Sequence, residues 1–250
     1  MKKIIAIILS ILSVFTFSAC SNENAVLEEI KTYEITGEIR SLDIEINAAD
    51  FTIEQGDKFL VESNLKYLTV SNEGGVLKIE DTLKNSVHYN GAILRVFVPS
   101  GALFDEVDIE TGAAKLTAKT LTAKSLELEL GAGNLQIDDL VVYNDAKIEG
   151  GAGKLTVKNG TINNLTMHLG VGALSMTAKL LGDNEIEFGV GNSNLTLAGG
   201  EEDYKVDIEK GIGSITMGGI ALSNSCSKGS GETAVSIKGG VGAVTVSFQN

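Results

Sequence analysis

The chain has 250 residues, 29 of them Gly, one Pro, no Trp, and only 5% aromatic residues, which argues against a core of bulky side chains. With 43% hydrophobic and 21% charged residues it is not a disordered chain. A net charge of −13 excludes the basic footprint that nucleic acid requires, and two Cys with two His leave no stock for a zinc site or a His-based catalytic centre.

Lys2 and Lys3 open the chain as a positive segment, and Ile4 to Phe17 is an apolar run of fourteen residues. A bilayer span needs about 20 apolar residues, so this run is predicted to be an export signal. Phe17-Ser18-Ala19-Cys20 then has the form of a bacterial lipobox, although Phe17 stands where Leu is usual. Small residues before the cysteine admit a signal peptidase, and the Cys20 thiol receives the lipid. The alternative is an ordinary signal peptide in which Cys20 is incidental.

The expected division is a signal peptide over 1–19, a lipidated Cys20 with a short polar tether over 20–29, and one domain over 30–250. Loss of Lys2 and Lys3 with the leader takes the mature charge to −13 − 2 = −15. Cys226 is then alone, with no intramolecular disulfide open to it. The expected location is the extracytoplasmic face of the cell membrane, held by lipid.

In the segment after the tether, Leu42, Ile44, Ile46 and Ala48 alternate with polar residues, and Phe51 and Ile53 continue on the opposite parity. Longer strands are predicted at 59–62, 65–70, 76–79 and 93–98, the last ended by Pro99. The stretch 30–104 is read as irregular N-terminal coils or hairpins that also cap an open sheet end.

Regular repeats occupy 105–250. Six segments carry paired glycines: Gly131 and Gly133, Gly151 and Gly153, Gly170 and Gly172, Gly189 and Gly191, Gly211 and Gly213, Gly240 and Gly242. A degenerate copy, Gly112-Ala113-Ala114, precedes them, and first glycines recur at steps of 19, 20, 19, 19, 22 and 29. Such a period is the signature of a solenoid.

Within each repeat the alternation is period two, as in Leu126, Leu128, Leu130 and Ala132, and then changes parity to Leu135 and Ile137. Period two means strand. A parity change needs one extra residue absorbed at a bend, where Gly accepts positive φ and close neighbours. Each repeat therefore reads as strand, Gly-x-Gly corner, strand and a variable loop such as Lys158-Asn159-Gly160. The predicted fold is all-β, a single-domain parallel β-solenoid of about 20-residue coils. A β-sandwich is the alternative, but it does not require Gly-x-Gly in every unit.

Stacking the repeats in chain order aligns an outward row of Glu110, Glu129, Glu149, His168, Glu187, Glu209 and Lys238. A neighbouring row reads Asp108, Glu127, Lys147, Thr166, Glu185, Asp207 and Ser236. Carboxylates about 4.8 Å apart repel, and hard oxygen ligands at that spacing suit calcium. The competing reading is a solvated acidic face relieved by Lys147, Lys115 and Lys154, and the expectation is no metal and no cofactor. A third row, Thr117, Gln136, Thr156, Ser175, Thr196, Thr216 and Thr245, reads as β-propensity and hydroxyl ladders.

The strand-Asn47-Ala48-Ala49-Asp50-strand segment, the strand ending at Pro99 and the Gly-x-Gly repeats resemble the bacterial putative-adhesin family. It is a domain of unknown function related to toast-rack domains of envelope-stress proteins. The resemblance covers about residues 30–250 and implies a β-solenoid at the cell surface, with no catalytic residues to carry over. No nucleophile elbow, phosphate loop or paired-carboxylate site accompanies it, so the chain is expected not to be an enzyme. The expected role is a rigid binding or adhesin-like module, with envelope polymer or a membrane protein as partner. The alternative is an accessory or sensor domain of an envelope-stress system, docking on a membrane partner.

Overall fold

The computed structural model describes residues 27–83 and 90–249; the leader, Cys20 and His88 lie outside them. The described residues are nearly all strand, with one 3-10 turn at Glu201–Asp203 and no α-helix. In chain order the strands are β1 (Leu27–Glu34), β2 (Ser41–Ile46), β3 (Asp50–Gly56), β4 (Leu60–Leu65), β5 (Leu68–Glu73), β6 (Val76–Asp81) and β7 (Ile93–Pro99). The extended runs β8 (Phe104–Asn163), β9 (Leu165–Leu181) and β10 (Asp183–Ala198) follow. They are succeeded by β11 (Tyr204–Glu209), β12 (Ile212–Met217), β13 (Ile220–Leu222), β14 (Cys226–Lys228), β15 (Thr233–Lys238) and β16 (Val241–Gln249). All belong to one 16-stranded sheet.

β1 begins inside the stretch expected to be a tether. Leu27 pairs with Leu65 and packs against the core, so apolar burial recruits the end of that polar stretch. The repeats pair in parallel and in register: Ala152 with Val171, Gly153 with Gly172 and Leu155 with Leu174, then Val171 with Val190 and Leu174 with Ser193.

Burial follows the period-two pattern, with Leu126, Leu128, Leu135 and Ile137 all buried. The segments expected to be variable loops differ from that reading. Lys158-Asn159-Gly160 is strand, and Leu140, Val142, Ile162 and Leu180 form a third buried side of the repeats. Only one or two apolar residues mark that side in each repeat, too few for alternation to reveal it. Leu, Ile and Val side chains fill the core, and Tyr204, Phe51 and Phe104 are its few fully buried rings.

Chain order is not stacking order. β15 and β16 insert between β10 on one side and β11 with β12 on the other. At the opposite end, β2 and β3 lie between β8 and the later β6 and β7. Antiparallel strands finish both ends: β1 on β4 on β7 and β5 on β6 at one, β13 on β12 and β14 on β11 at the other. The chain thus closes each end by laying an outer segment over one that it inserts inside.

Candidate functional site

The bends set the shape of the surface. Gly133 and Gly153 each have φ +138°, a conformation that L side chains rarely adopt. Their backbones also approach so closely that a Cβ on Gly153 would lie 1.7 Å from the Gly133 carbonyl oxygen. Glycine therefore stands on glycine through the stack. Gly172 meets Gly153, Gly191 meets Gly172, Gly242 meets Gly191 and Gly213 meets Gly242. The first glycines do the same, Gly151 over Gly131, Gly170 over Gly151 and Gly189 over Gly170, with Gly240 over Gly189 and Gly211 against Gly240.

Alternation places the residue between the two glycines inward, but the structure turns it out. Ala132 and Ala152 are exposed, as are Val171 at 58%, Val190 at 49%, Val241 at 47% and Ile212 at 77%. The bend spans the whole Gly-x-Gly unit, so the parity change occurs outside the core and its middle residue projects to solvent.

Two residues before each first glycine runs the carboxylate row. Glu45 pairs with Glu80 and with Glu110, which extends the row beyond the positions read from the repeats. The Asn47-Ala48 bend replaces Gly there, but Glu45 stands at the same distance before it, which is the signal that finds it. Glu149 is beside His168 and His168 beside Glu187. Glu187 is then beside Lys238, and Lys238 beside Glu209, so the cation separates two carboxylates that chain order would make neighbours. An open groove of about 610 Å³ follows this row, walled by Glu110, Glu129, Glu149 and Glu187 and floored by the glycine backbone with Leu130 and Leu169.

Lys147 is the main counter-charge. Its Nζ lies 2.7 Å from Glu127, 3.2 Å from Glu129 and 3.0 Å from Glu149. These hydrogen bonds raise the lysine above its usual range, and the same contact holds Glu127 below the ordinary glutamate value. Asp108 has no such relief: partial burial first, then Glu127, Asp43, Glu106 and Glu129, push its carboxyl up. Lys238 bonds Glu185 and lowers it in the same way.

The row of hydroxyls needs one correction. Ser175 is flanked by Thr156 and Asn194, and Asn194 by Thr245, so Thr196 belongs instead beside Thr177. Among the described residues no three His, Cys, Asp or Glu side chains converge as a metal-ligand set. No described helix is long and apolar enough to cross a membrane. Cys226 is a half-buried free thiol.

No curated protein sequence matches the chain. Among solved structures, it is similar to a putative adhesin from Bacteroides fragilis at 12% identity and TM-score 0.52, covering 87% of this chain and 95% of that one. Fainter likenesses are to a putative cell adhesion protein from Clostridium sporogenes (17%, TM-score 0.38, 88% and 98% covered) and a putative lipid binding protein from Parabacteroides distasonis (13%, TM-score 0.35, 87% and 96% covered). The first likeness is one of fold. The Toastrack DUF4097 model matches residues 39–248, most of the chain, and the protein belongs to that family.

Proposed function

We propose that this protein is a non-enzymatic binding module on the extracytoplasmic face of the cell membrane, anchored by lipid on Cys20. Its parallel repeats form one β-solenoid within the 30–250 domain, with Gly-x-Gly corners at the glycine pairs named above and antiparallel strands closing both ends. In-register parallel pairing with glycine on glycine at the bends supports that architecture. The observation that carries the functional reading is the repetition of outward side chains at fixed spacing. Long rows of Glu and small residues suit an extended partner such as an envelope polymer, whereas catalysis needs unlike groups converging on one point. The name of the similar Bacteroides fragilis protein, a putative adhesin, agrees with a surface role.

The Phe17-Ser18-Ala19-Cys20 segment supports the anchor. One observation favours the second reading, docking on a membrane partner in an envelope-stress system. β1 starts at Leu27, so only Ser21 to Val26 separates the sheet from Cys20 and the domain stays close to the bilayer.

Metabolic labelling with palmitate tests the anchor: wild type takes label and sediments with membranes, and Cys20→Ser loses both. Label retained by the variant overturns the anchor. In-cell crosslinking then separates the roles. Capture of envelope polymer or external protein supports the binding module, whereas a recurring membrane kinase or stress regulator overturns it in favour of the second reading.

A further inference from the structure

We infer that the exposed apolar ridge at the bends is a self-association surface, on which a second copy of this chain packs side by side in parallel. In stacking order the ridge runs Ala152, Val171, Val190, Val241 and Ile212, each in register with the next. Its four β-branched members are all between 47% and 77% exposed. Isolated exposed aliphatics are ordinary, but a contiguous row of them marks an interaction surface.

Charge on the two flanks selects the occupant and its direction. One flank is the carboxylate row, with Glu110 and Glu149. The other, just past the second bend position, carries Lys115 and Lys154, both exposed, with the exposed Asp50 beside Lys115 at its end. Neither lysine makes an ion pair among the described residues. A two-fold axis parallel to the ridge sets each ridge residue against its own copy. It also brings the carboxylate flank of one chain to the lysine flank of the other, Glu110 to Lys115 and Glu149 to Lys154. A two-fold axis across the ridge instead sets carboxylates on carboxylates, and like charges across an interface are strongly disfavoured.

Side-chain size agrees with the same arrangement. The lysines flank the end where the ridge is Ala113, Ala132 and Ala152, leaving room for long charged side chains. At the tall end, beside Val171, Val190, Val241 and Ile212, that same flank carries the uncharged Ala173, Asn192, Ala243 and Ser214. An anionic lipid surface is a poorer occupant for a chain of net charge −13. Seven ridge positions at about 4.8 Å give a strip roughly 30 Å long; at one side chain wide, about 10 Å, it offers on the order of 300 Å², below the ~800 Å² per partner of a standard stable interface. The pairing is therefore weak and concentration-dependent.

The test uses the full chain carrying Cys20→Ser, Cys226→Ser and one ridge cysteine, Ala152→Cys, Val190→Cys or Ile212→Cys, oxidised by copper-phenanthroline. Tyr143→Cys, exposed away from the ridge, is the control, alongside a chain with no added cysteine. Val190→Cys is expected to give at least ten times the disulfide dimer of the control. Mixing Ala152→Cys and Ile212→Cys chains is expected to give no excess of the mixed product.

Glu149→Lys and Lys154→Glu, each added to the Val190→Cys chain, are expected to lower crosslinking alone and to restore it when mixed. That complementation reads the interface and not the fold. Ridge yields no higher than the control overturn the proposal, and a dominant Ala152–Ile212 mixed product overturns the parallel arrangement. Protection of a monomeric ridge cysteine from maleimide by phosphatidylglycerol–phosphatidylethanolamine vesicles reassigns the ridge to lipid and also overturns it.

Discussion

Lys238 Nζ lies 2.5 Å from Glu185 Oε1, although 53 residues separate them along the chain. The pair exists because β15 and β16 enter the sheet directly beside β10 and displace β11 and β12 outward. One consequence is electrostatic. The inserted strand carries the only lysine of the carboxylate row and places it between Glu187 and Glu209. Repulsion along the row is broken where chain order alone would leave two adjacent glutamates.

Lys238→Glu removes the Glu185 contact and makes three adjacent carboxylates. The urea midpoint is expected to fall, and raising salt from 20 to 500 mM is expected to recover about half of the loss, because like-charge repulsion between exposed groups is screened. A salt-independent loss would point to packing instead.

Asn184 tests the insertion from inside. Its buried side chain accepts from the Leu165 amide and donates to the Ala234 carbonyl, so it ties β10 to its neighbours on both sides. Asn184→Ala leaves buried backbone groups without partners and is expected to cost about 2 kcal/mol by chemical denaturation. Hydrogen exchange of β15 amides is expected to quicken most.

Close approach and backbone conformation separate the bend glycines from turn glycines. Gly153→Ala drives a methyl into the Gly133 carbonyl at a φ of +138° and is expected to cost about 3 kcal/mol or more. Gly74 also has positive φ, +65°, but nothing lies within 4 Å, so Gly74→Ala is expected to cost about 1 kcal/mol. Equal costs in denaturant titrations would remove the stacking argument.

Asp108 gives a pH dependence of definite sign. Its carboxyl is raised in the folded chain by burial and by neighbouring carboxylates, so the folded state holds that proton more tightly than the unfolded one. Its charge therefore costs nothing below the ordinary value of 3.8 and becomes destabilising as pH rises through the raised one. Asp108→Asn is expected to match wild type at pH 3 and to exceed it by about 0.5 kcal/mol at pH 7. Glu127 and Glu185 act in the opposite sense, since their lowered values lose stability as pH falls. The Asn variant minus wild type isolates Asp108 from them.

Much of the site is legible in one repeat. Glu129 and Glu149 are outward because Leu128 and Ile148 are inward, and the two carboxylates align because Gly131 and Gly151 do. The exposure of Val171 and Ile212 is not legible, because alternation continues to the bend and only the path of the backbone there decides which way the side chain leaves. The third buried side, with Leu140 and Ile162, is hidden because a strand so short has no period to detect.

By itself, the sequence determines the local parts: strands from period-two alternation, bends from paired glycines, an aliphatic core with few rings, and a net charge of −13. Which repeat lies on which is decided only in three dimensions. Every repeat presents the same apolar sides and the same glycine bend, so Gly242 could satisfy the bend over Gly213 or over Gly191 equally well. It lies between them because β13 and β14 fold back antiparallel on β12 and β11, which covers the outer edge and leaves the inner position for β15 and β16. That choice depends on contacts far apart in the chain, and it sets both the order of charges in the carboxylate row and the continuity of the ridge from Val190 through Val241 to Ile212.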